Sequence, residues 1–497
     1  MMSRCAALAA LLLLLVVPAG PAAADSPSSG GDVTIAQTLG DRDVTLILRR
    51  VTSVPGPLRV DVITHVGTPA GTLTLAVIPA SSGTPAGSAQ VNLGATPGSY
   101  GATLRIAGAG SWELSVGDGQ RTARVPFVVT AQVASPPERA VYGGFLAAGI
   151  LLLMALVVAV RARQAWWVAV PGAGVVAGVA VAVTGAVLSA SLPLPPRPGL
   201  QIAATEKNAI NPYALSQPLI VDYSRPPAVL TVAHRSATGD IDLTVTDAST
   251  GLPADDLVVH DDALIHLMVV GPSGQLWHVH PIRIGLGAYQ VHLPLPHTGH
   301  YALTAELQRL GGGRQLLRAA TGIDVTAPPA TAAGTAPAIT LTAGRSTKTT
   351  VDGVPVSVKA ASATAGSAVT FTLTAGSTAT LQPWLGMLGH LIVVGPLAAT
   401  SDAGAAAQAA PTWVHAHSMG DLTPMPGMPE HGAQAMSGSM PGNGDSVADE
   451  TVAAYGPSTS FTYTFAQAGR YRLWMQVERD YRILTVPVLL DIAAARL

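Results

Sequence analysis

Cysteine is almost missing from this chain. The one cysteine among 497 residues, Cys5, falls in the N-terminal stretch MMSRCAALAALLLLLVVPAGPAAAD. That stretch carries one arginine, an apolar run and a small-residue site at 22–24, the layout of a secretory signal over residues 1–24. The mature chain is then expected to begin near Asp25 without any thiol, which excludes disulfides, thiolate nucleophiles, iron–sulfur clusters and a cysteine-ligated blue-copper centre together. Charge is scarce too. Only 11% of residues are Asp, Glu, Lys or Arg and the net charge is −2, so no basic face is on offer to a polyanion and no nucleic acid partner is expected. G-x-S-x-G, the Walker glycine loop and H-E-x-x-H are all absent, and without a cysteine only a serine or carboxylate site could do covalent work.

What the chain has in excess is apolar length, with a mean hydropathy of +0.40. Residues 140–160 are an unbroken apolar run and residues 165–191 a second stretch without a charge; each is long enough to span a bilayer. The RARQ between them, residues 161–164, predicts a cytoplasmic turn marked by Arg161 and Arg163, with Trp166 and Trp167 at one interface and Tyr142 near the other. Both flanks are then extracytoplasmic, and the chain is expected at the cell membrane. Gly174, Gly178 and Ala182 form a small-residue stripe suited to close helix packing. With no Asp, Glu, His or Lys inside either span, the hairpin reads as an anchor rather than a transporter.

Outside the hairpin the sequence repeats. SYGATLRIAGAGSWELSV, AYQVHLPLPHTGHYALTAEL and SFTYTFAQAGRYRLWMQV share an alternating strand, a turn, and G-x-[YW]-x-L opening the next strand. Period-2 alternation with Gly and Pro punctuation predicts a mainly β fold of three Ig-like or cupredoxin-like antiparallel β-sandwiches, over 25–138, 226–326 and 350–493. Pro-rich 192–225 and Ala/Pro-rich 327–349 read as linkers. Trp112, Tyr301 and Tyr471, each just after a corner glycine, are expected to pack and hydrogen-bond locally.

Histidine clustering shows where chemistry could sit. Seven of the 13 histidines lie between His260 and His300, and three between His415 and His431. In DDALIHLMVVGPSGQLWHVHP, Ile265, Leu267 and Val269 alternate with His266 and Met268, and Trp277 and Val279 alternate with His278 and His280. If the apolar faces join one core, His266, Met268, His278 and His280 share the opposite face, close enough to converge on one ion. His260, beside Asp261 and Asp262, is a further candidate ligand. The third copy repeats the order: His390 in GMLGHLIVVGP, then His415, His417 and Met419 in WVHAHSM, separated by an Ala-rich stretch within a Met/His-rich insertion, 397–450. The lone histidine of the first copy, His65, reads as a surface residue at a strand end.

HLMVVGPSGQLWHVHP in the second copy, and LQPWLGMLGHLIVVGP, WVHAH and AGRYRLWMQV in the third, resemble the secreted YtkA-like domains and the similar copper-resistance CopC-like domains. The resemblance covers about 226–326 and 350–493 and implies an extracytoplasmic metal-handling or assembly accessory, with no enzyme activity expected. Five of the eleven methionines fall within residues 419–440. Thioethers are soft ligands that select Cu(I), and imidazole suits both copper states, so Met425, Met428 and His431 tilt the expected metal toward copper, as Cu(I) or Cu(II). The expected partners are the membrane and a periplasmic or cell-surface metalloprotein or copper exporter. Two other readings stay open: an Ig-like scaffold or adhesion protein without metal, and an accessory factor for assembling a copper enzyme.

Overall fold

The structure is a computed structural model that describes residues 32–49, 51, 53–129, 131, 134–191, 225–326, 337–418 and 450–495. The expected signal segment, most of the linker 192–225, and the segment holding Met419, Met425, Met428 and His431 lie outside the described residues. The chain divides into a helical unit and a β unit.

The helical unit is a hairpin. Its first helix, Pro136–Arg161, starts four residues earlier than the apolar run because Ser135 and Glu138 cap each other's backbone N–H and prolines fill the first turn. After a 3-10 turn at Ala165–Val168, the second helix runs Ala169–Ser191. Both helices are long and apolar enough to cross a membrane. The small-residue stripe does meet the other helix: a Cβ at Gly178 would come within 2.8 Å of the Gly144 carbonyl, and one at Gly144 within 3.0 Å of Ala182 Cβ. Gly174 faces Leu151 instead, and Gly185 continues the close approach at the Pro137 carbonyl.

The β unit contains three modules, each of two sheets, antiparallel except at one edge of the third. In the first, Val33–Leu39, Arg42–Leu48, Gly56–Thr64 and Gly98–Ile106 form one sheet, and Gly87–Leu93, Gly71–Pro79, Gly110–Gly117 and Thr122–Val129 the other. The second pairs a sheet of Ile282–Gly285, Ala288–His292, Asp240–Asp247 and Ala228–Arg235 with one built on Leu257–Val258, Gly299–Arg309, Ile265–Val270 and Leu276–Val279. The third opposes Ser346–Val351, Val354–Ala360, Ala368–Ala375 and Ser458–Thr464 to a sheet ordered Ile339–Leu341, Arg482–Ile492, Gly469–Arg479, His390–Gly395 and Thr412–His417. Ile339–Leu341 pairs in parallel with Arg482–Ile492. The third module therefore begins some ten residues before 350, inside the stretch that composition alone reads as linker.

The repeated corner is the same in all three modules. Gly110, Gly299 and Gly469 have φ of 142°, 134° and 139°, a region that disfavours a side chain. Two residues on, Trp112 Nε1 donates to the Gly108 carbonyl at 3.0 Å, Tyr301 Oη to that of His297 at 2.9 Å, and Tyr471 Oη to that of Gln467 at 2.9 Å. Each bond reaches four residues back.

The modules pack on one another. The first and second share one apolar core and are tied by Arg121–Asp240 at 2.8 Å and Arg283–Glu113 at 3.2 Å. Between the second and third, Met268, Val270, Leu276 and Ala302 meet Ile392, Val394, Trp413 and Trp474. This apolar patch borders the histidines.

Candidate metal centre

The strand parity expected for the second module holds. Ile265, Leu267 and Val269 enter the sandwich core, which turns His266 and Met268 to the other face, where Met268 pairs with His278. In the third module His390 pairs with His417 and Ile392 with His415. Met268 and Ile392 thus occupy equivalent places, and both belong to the apolar patch between modules. Met268 is a packing residue of that patch, on the same face as the histidines.

Six imidazoles from the two modules converge. Ring centroids lie 5.4 Å apart for His266 and His278, 5.2 Å for His278 and His280, 4.9 Å for His278 and His415, 5.3 Å for His390 and His415, and 4.6 Å for His415 and His417. They are deeply covered, with His390 0% and His266 1% exposed.

Their hydrogen bonds fix which nitrogens carry protons. His266 Nε2 faces the His260 carbonyl at 3.0 Å, and His390 Nε2 faces the Trp384 carbonyl at 3.0 Å. His415 Nδ1 faces Glu306 Oε2 at 2.8 Å and His278 Nδ1 faces Gln476 Oε1 at 2.9 Å. Carbonyl and carboxylate oxygens only accept, so with the Gln476 amide turned to donate its Nε2 to Thr485 Oγ1 at 2.9 Å, these outer nitrogens hold the protons and the inner ones are bare. Yet the inner atoms come in close pairs: His266 Nδ1 to His278 Nε2 at 3.2 Å and His390 Nδ1 to His415 Nε2 at 3.1 Å. Protonating them is disfavoured, because burial and neighbouring imidazoles hold all four histidines well below the usual pKa. Two lone pairs facing each other repel unless a cation lies between them. Two imidazoles on one ion at about 2.0–2.1 Å stand about 2.9–3.4 Å apart in square-planar or tetrahedral geometry. Both observed separations fall in that interval.

Further ligand positions are ready. His280 Nδ1 and Nε2 and His417 Nε2 are buried with no hydrogen-bond partner among the described residues. The outward bonds to carbonyl, amide and carboxylate oxygens are the support that metal-bound histidines ordinarily have.

His260 stands apart. Its Nε2 lies 2.7 Å from Asp261 Oδ2 and 3.4 Å from Glu306 Oε1, but Arg314 already reaches both carboxylates, at 3.1 and 3.2 Å. A guanidinium thus balances this acidic corner, and His260 serves the centre through its carbonyl. Burial opposes ionisation of Glu306, but His260, the nearby imidazoles and Arg314 outweigh it and hold the group below the usual carboxylate range. His292 bonds Asp240 and His300 bonds Asp324, away from the centre.

Sequence reasoning missed Glu306, Gln476 and Trp384. A signal for the first two existed: each lies five residues after the repeated tyrosine, Tyr301 or Tyr471, as a polar residue in a strand that is buried on both faces. His65 was misread. It is 4% exposed, and its Nδ1 meets Glu478 Oε1 of the third module at 3.0 Å, because the end of its strand docks there rather than facing solvent.

A family model described as "Domain of unknown function (DUF8832)" matches residues 349–494. No curated protein matches the chain. Among solved structures it is similar to a tetra-tandem repeat in the extending region of a large adhesion protein, at 12% identity over 93% of this chain and 74% of that one, TM-score 0.15. It is also similar to invasin, a bacterial integrin-binding protein, at 9% identity over 93% and 60%, TM-score 0.15, and to the chicken CNTN1 FN1–FN3 domains, at 9% over 93% and 99%, TM-score 0.12. Likenesses at these scores carry no argument about function.

Proposed function

We propose that the protein is a membrane-anchored, extracytoplasmic metal-binding protein whose second and third modules together hold copper for tolerance, delivery or sensing. The observation that carries this reading is the pair of bare imidazole nitrogens at 3.2 and 3.1 Å, each with its proton committed to an outer acceptor. An all-imidazole donor set without thiolate suits copper, which also stands highest among divalent first-row ions for such ligands. The sequence adds soft sulfur at Met419, two residues past His417. On this reading the two modules are YtkA-like or CopC-like domains, and a metalloprotein or copper exporter in the envelope is the partner served. Packing of the first module on the second, although the apolar hairpin lies between them in sequence, supports two crossings with both flanks on one side.

Full-length protein in detergent, stripped with chelator, loaded with copper and desalted, tests this by elemental analysis. Copper is expected to stay with the wild type and to fall by more than half in His278→Ala/His415→Ala. Wild-type protein leaving the column free of copper overturns the reading. The same experiment decides the second reading, an Ig-like scaffold or adhesion protein without metal, which the tandem three-sandwich architecture favours.

A further inference from the structure

The centre is built twice. His390 opens its strand and His266 is the second residue of its own, and each gives its Nε2 proton to the carbonyl six residues earlier, in Trp384 and His260. Both of those residues close a tight bridge, His260 with Ala263 and Trp384 with Met387. His278 and His415 then cross over: His278 bonds Gln476 of the third module and His415 bonds Glu306 of the second. Glu306 is paired with His266, and Gln476 with His390, in the two sheets. A local two-fold relation thus carries each ligand of one module onto its counterpart in the other, with His280 answering to His417.

Two-fold repetition decides how many ions the centre takes. A single ion using four imidazoles requires four nitrogens about 2.9–3.4 Å from their neighbours. The nitrogens instead gather in two overlapping sets of three within 4.8 Å, His266, His278 and His415, and His390, His415 and His417, which share His415, and no set of four forms among the described residues. Each half has its own close nitrogen pair and, among the described residues, its own buried ring nitrogen without a hydrogen-bond partner, on His280 and on His417.

The one bare nitrogen of His415 faces His390 and can serve a single ion, and the His280 ring lies 5.2 Å from those of both His266 and His278. Building on the metal reading above, we therefore infer that the centre is dinuclear: one ion on His266 and His278 with His280 beside them, the other on His390, His415 and His417. The ions lie side by side across the module boundary, since His415 is within reach of both halves. A two-copper centre can take up or release two electrons together, and neither module can build it alone.

Chelator-stripped full-length protein titrated with Cu(II) tests this. Relative to wild type, His266→Ala/His280→Ala and His390→Ala/His417→Ala are each expected to lose one ion per chain, and the quadruple variant two; any copper on the segment 419–449 adds equally to all four and cancels. Loss of the same number of ions in either double variant as in the quadruple variant overturns the inference while leaving a metal centre standing. No loss in any variant, or a wild type free of copper, overturns both. Paramagnetic resonance of the loaded wild type decides even where a variant fails to fold. A spin count below the copper content with a half-field transition is expected, and a full count from isolated Cu(II) contradicts the pair.

Discussion

Glu306 sits on a strand of the second module, yet the imidazole it orients, His415, belongs to the third. In Glu306→Gln the amide keeps an acceptor but loses the charge that makes His415 a stronger donor, and copper affinity is expected to fall roughly 10–100-fold, the usual cost of removing such a support. Competition with a chromophoric chelator measures it, and unchanged affinity would show that the carboxylate does not act through His415. A pH dependence follows from the same residues. His266, His278, His390 and His415 titrate well below 6.5 when folded, so the unfolded chain binds more protons under acid conditions. Their contribution is fully present above pH 6.5 and is lost as pH falls below it. Metal-free protein should therefore lose its unfolding midpoint steeply between pH 6.5 and 5, and a flat profile there would contradict neutral, buried rings. At this scale the clustered imidazoles were legible and the groups that bond them were not. Period-2 alternation exposes His266, His278 and His280 as one face, whereas Glu306 and Gln476 act across a module boundary that no local pattern encodes.

The short helix Ala403–Ala409 shows what an insertion can do. Its N-cap Asp402 accepts from Ala405 N at 2.8 Å and from His300 N at 3.0 Å, and Gln408 donates to the Ala319 carbonyl at 3.0 Å. The insertion therefore docks the third module on the second. Gly404 lies so close that a Cβ would stand 1.8 Å from the His300 carbonyl. Gly404→Val must lift the helix, an overpacking expected to cost about 1–3 kcal/mol, and the second and third modules should separate at lower denaturant, with copper lost at the same midpoint. Copper retention through that transition would show that the cross-module bonds from His278 to Gln476 and from His415 to Glu306 are not needed to hold the ions. Sandwich strands, corner glycines and helical spans follow from periodicity and turn residues, so they could be read directly. The Ala-rich stretch reads only as an interruption, because the surface that orders it lies in another module.

Across the whole β unit, the first module closes over the centre. Ala36 N donates to the Asp262 carbonyl at 2.7 Å, Thr38 N to the His280 carbonyl at 2.8 Å, and Ala36 packs on Trp384 and Leu385. His65 secures the other end. Burial works against its charge, but the Glu478 carboxylate outweighs this and pushes the imidazole up to about 9. Its stabilisation is present below pH 6.5 and is lost as pH rises through about 9. Glu478→Gln, or wild type above pH 9, should therefore release copper to a chelator several-fold faster than wild type at pH 7.5. An unchanged rate would mean that the first module does not gate the centre. Three sandwiches and a hairpin were readable from the chain, but their closure around one point was not, since it depends on edges that meet only after each module has folded.

Anomalous diffraction at the copper edge from crystals of the loaded protein tests the central claim most directly. The expected result is copper density between the His266–His278 and His390–His415 nitrogen pairs, enclosed by both modules. Copper density confined to other parts of the molecule, with those nitrogens still facing each other across 3.1–3.2 Å, would contradict it.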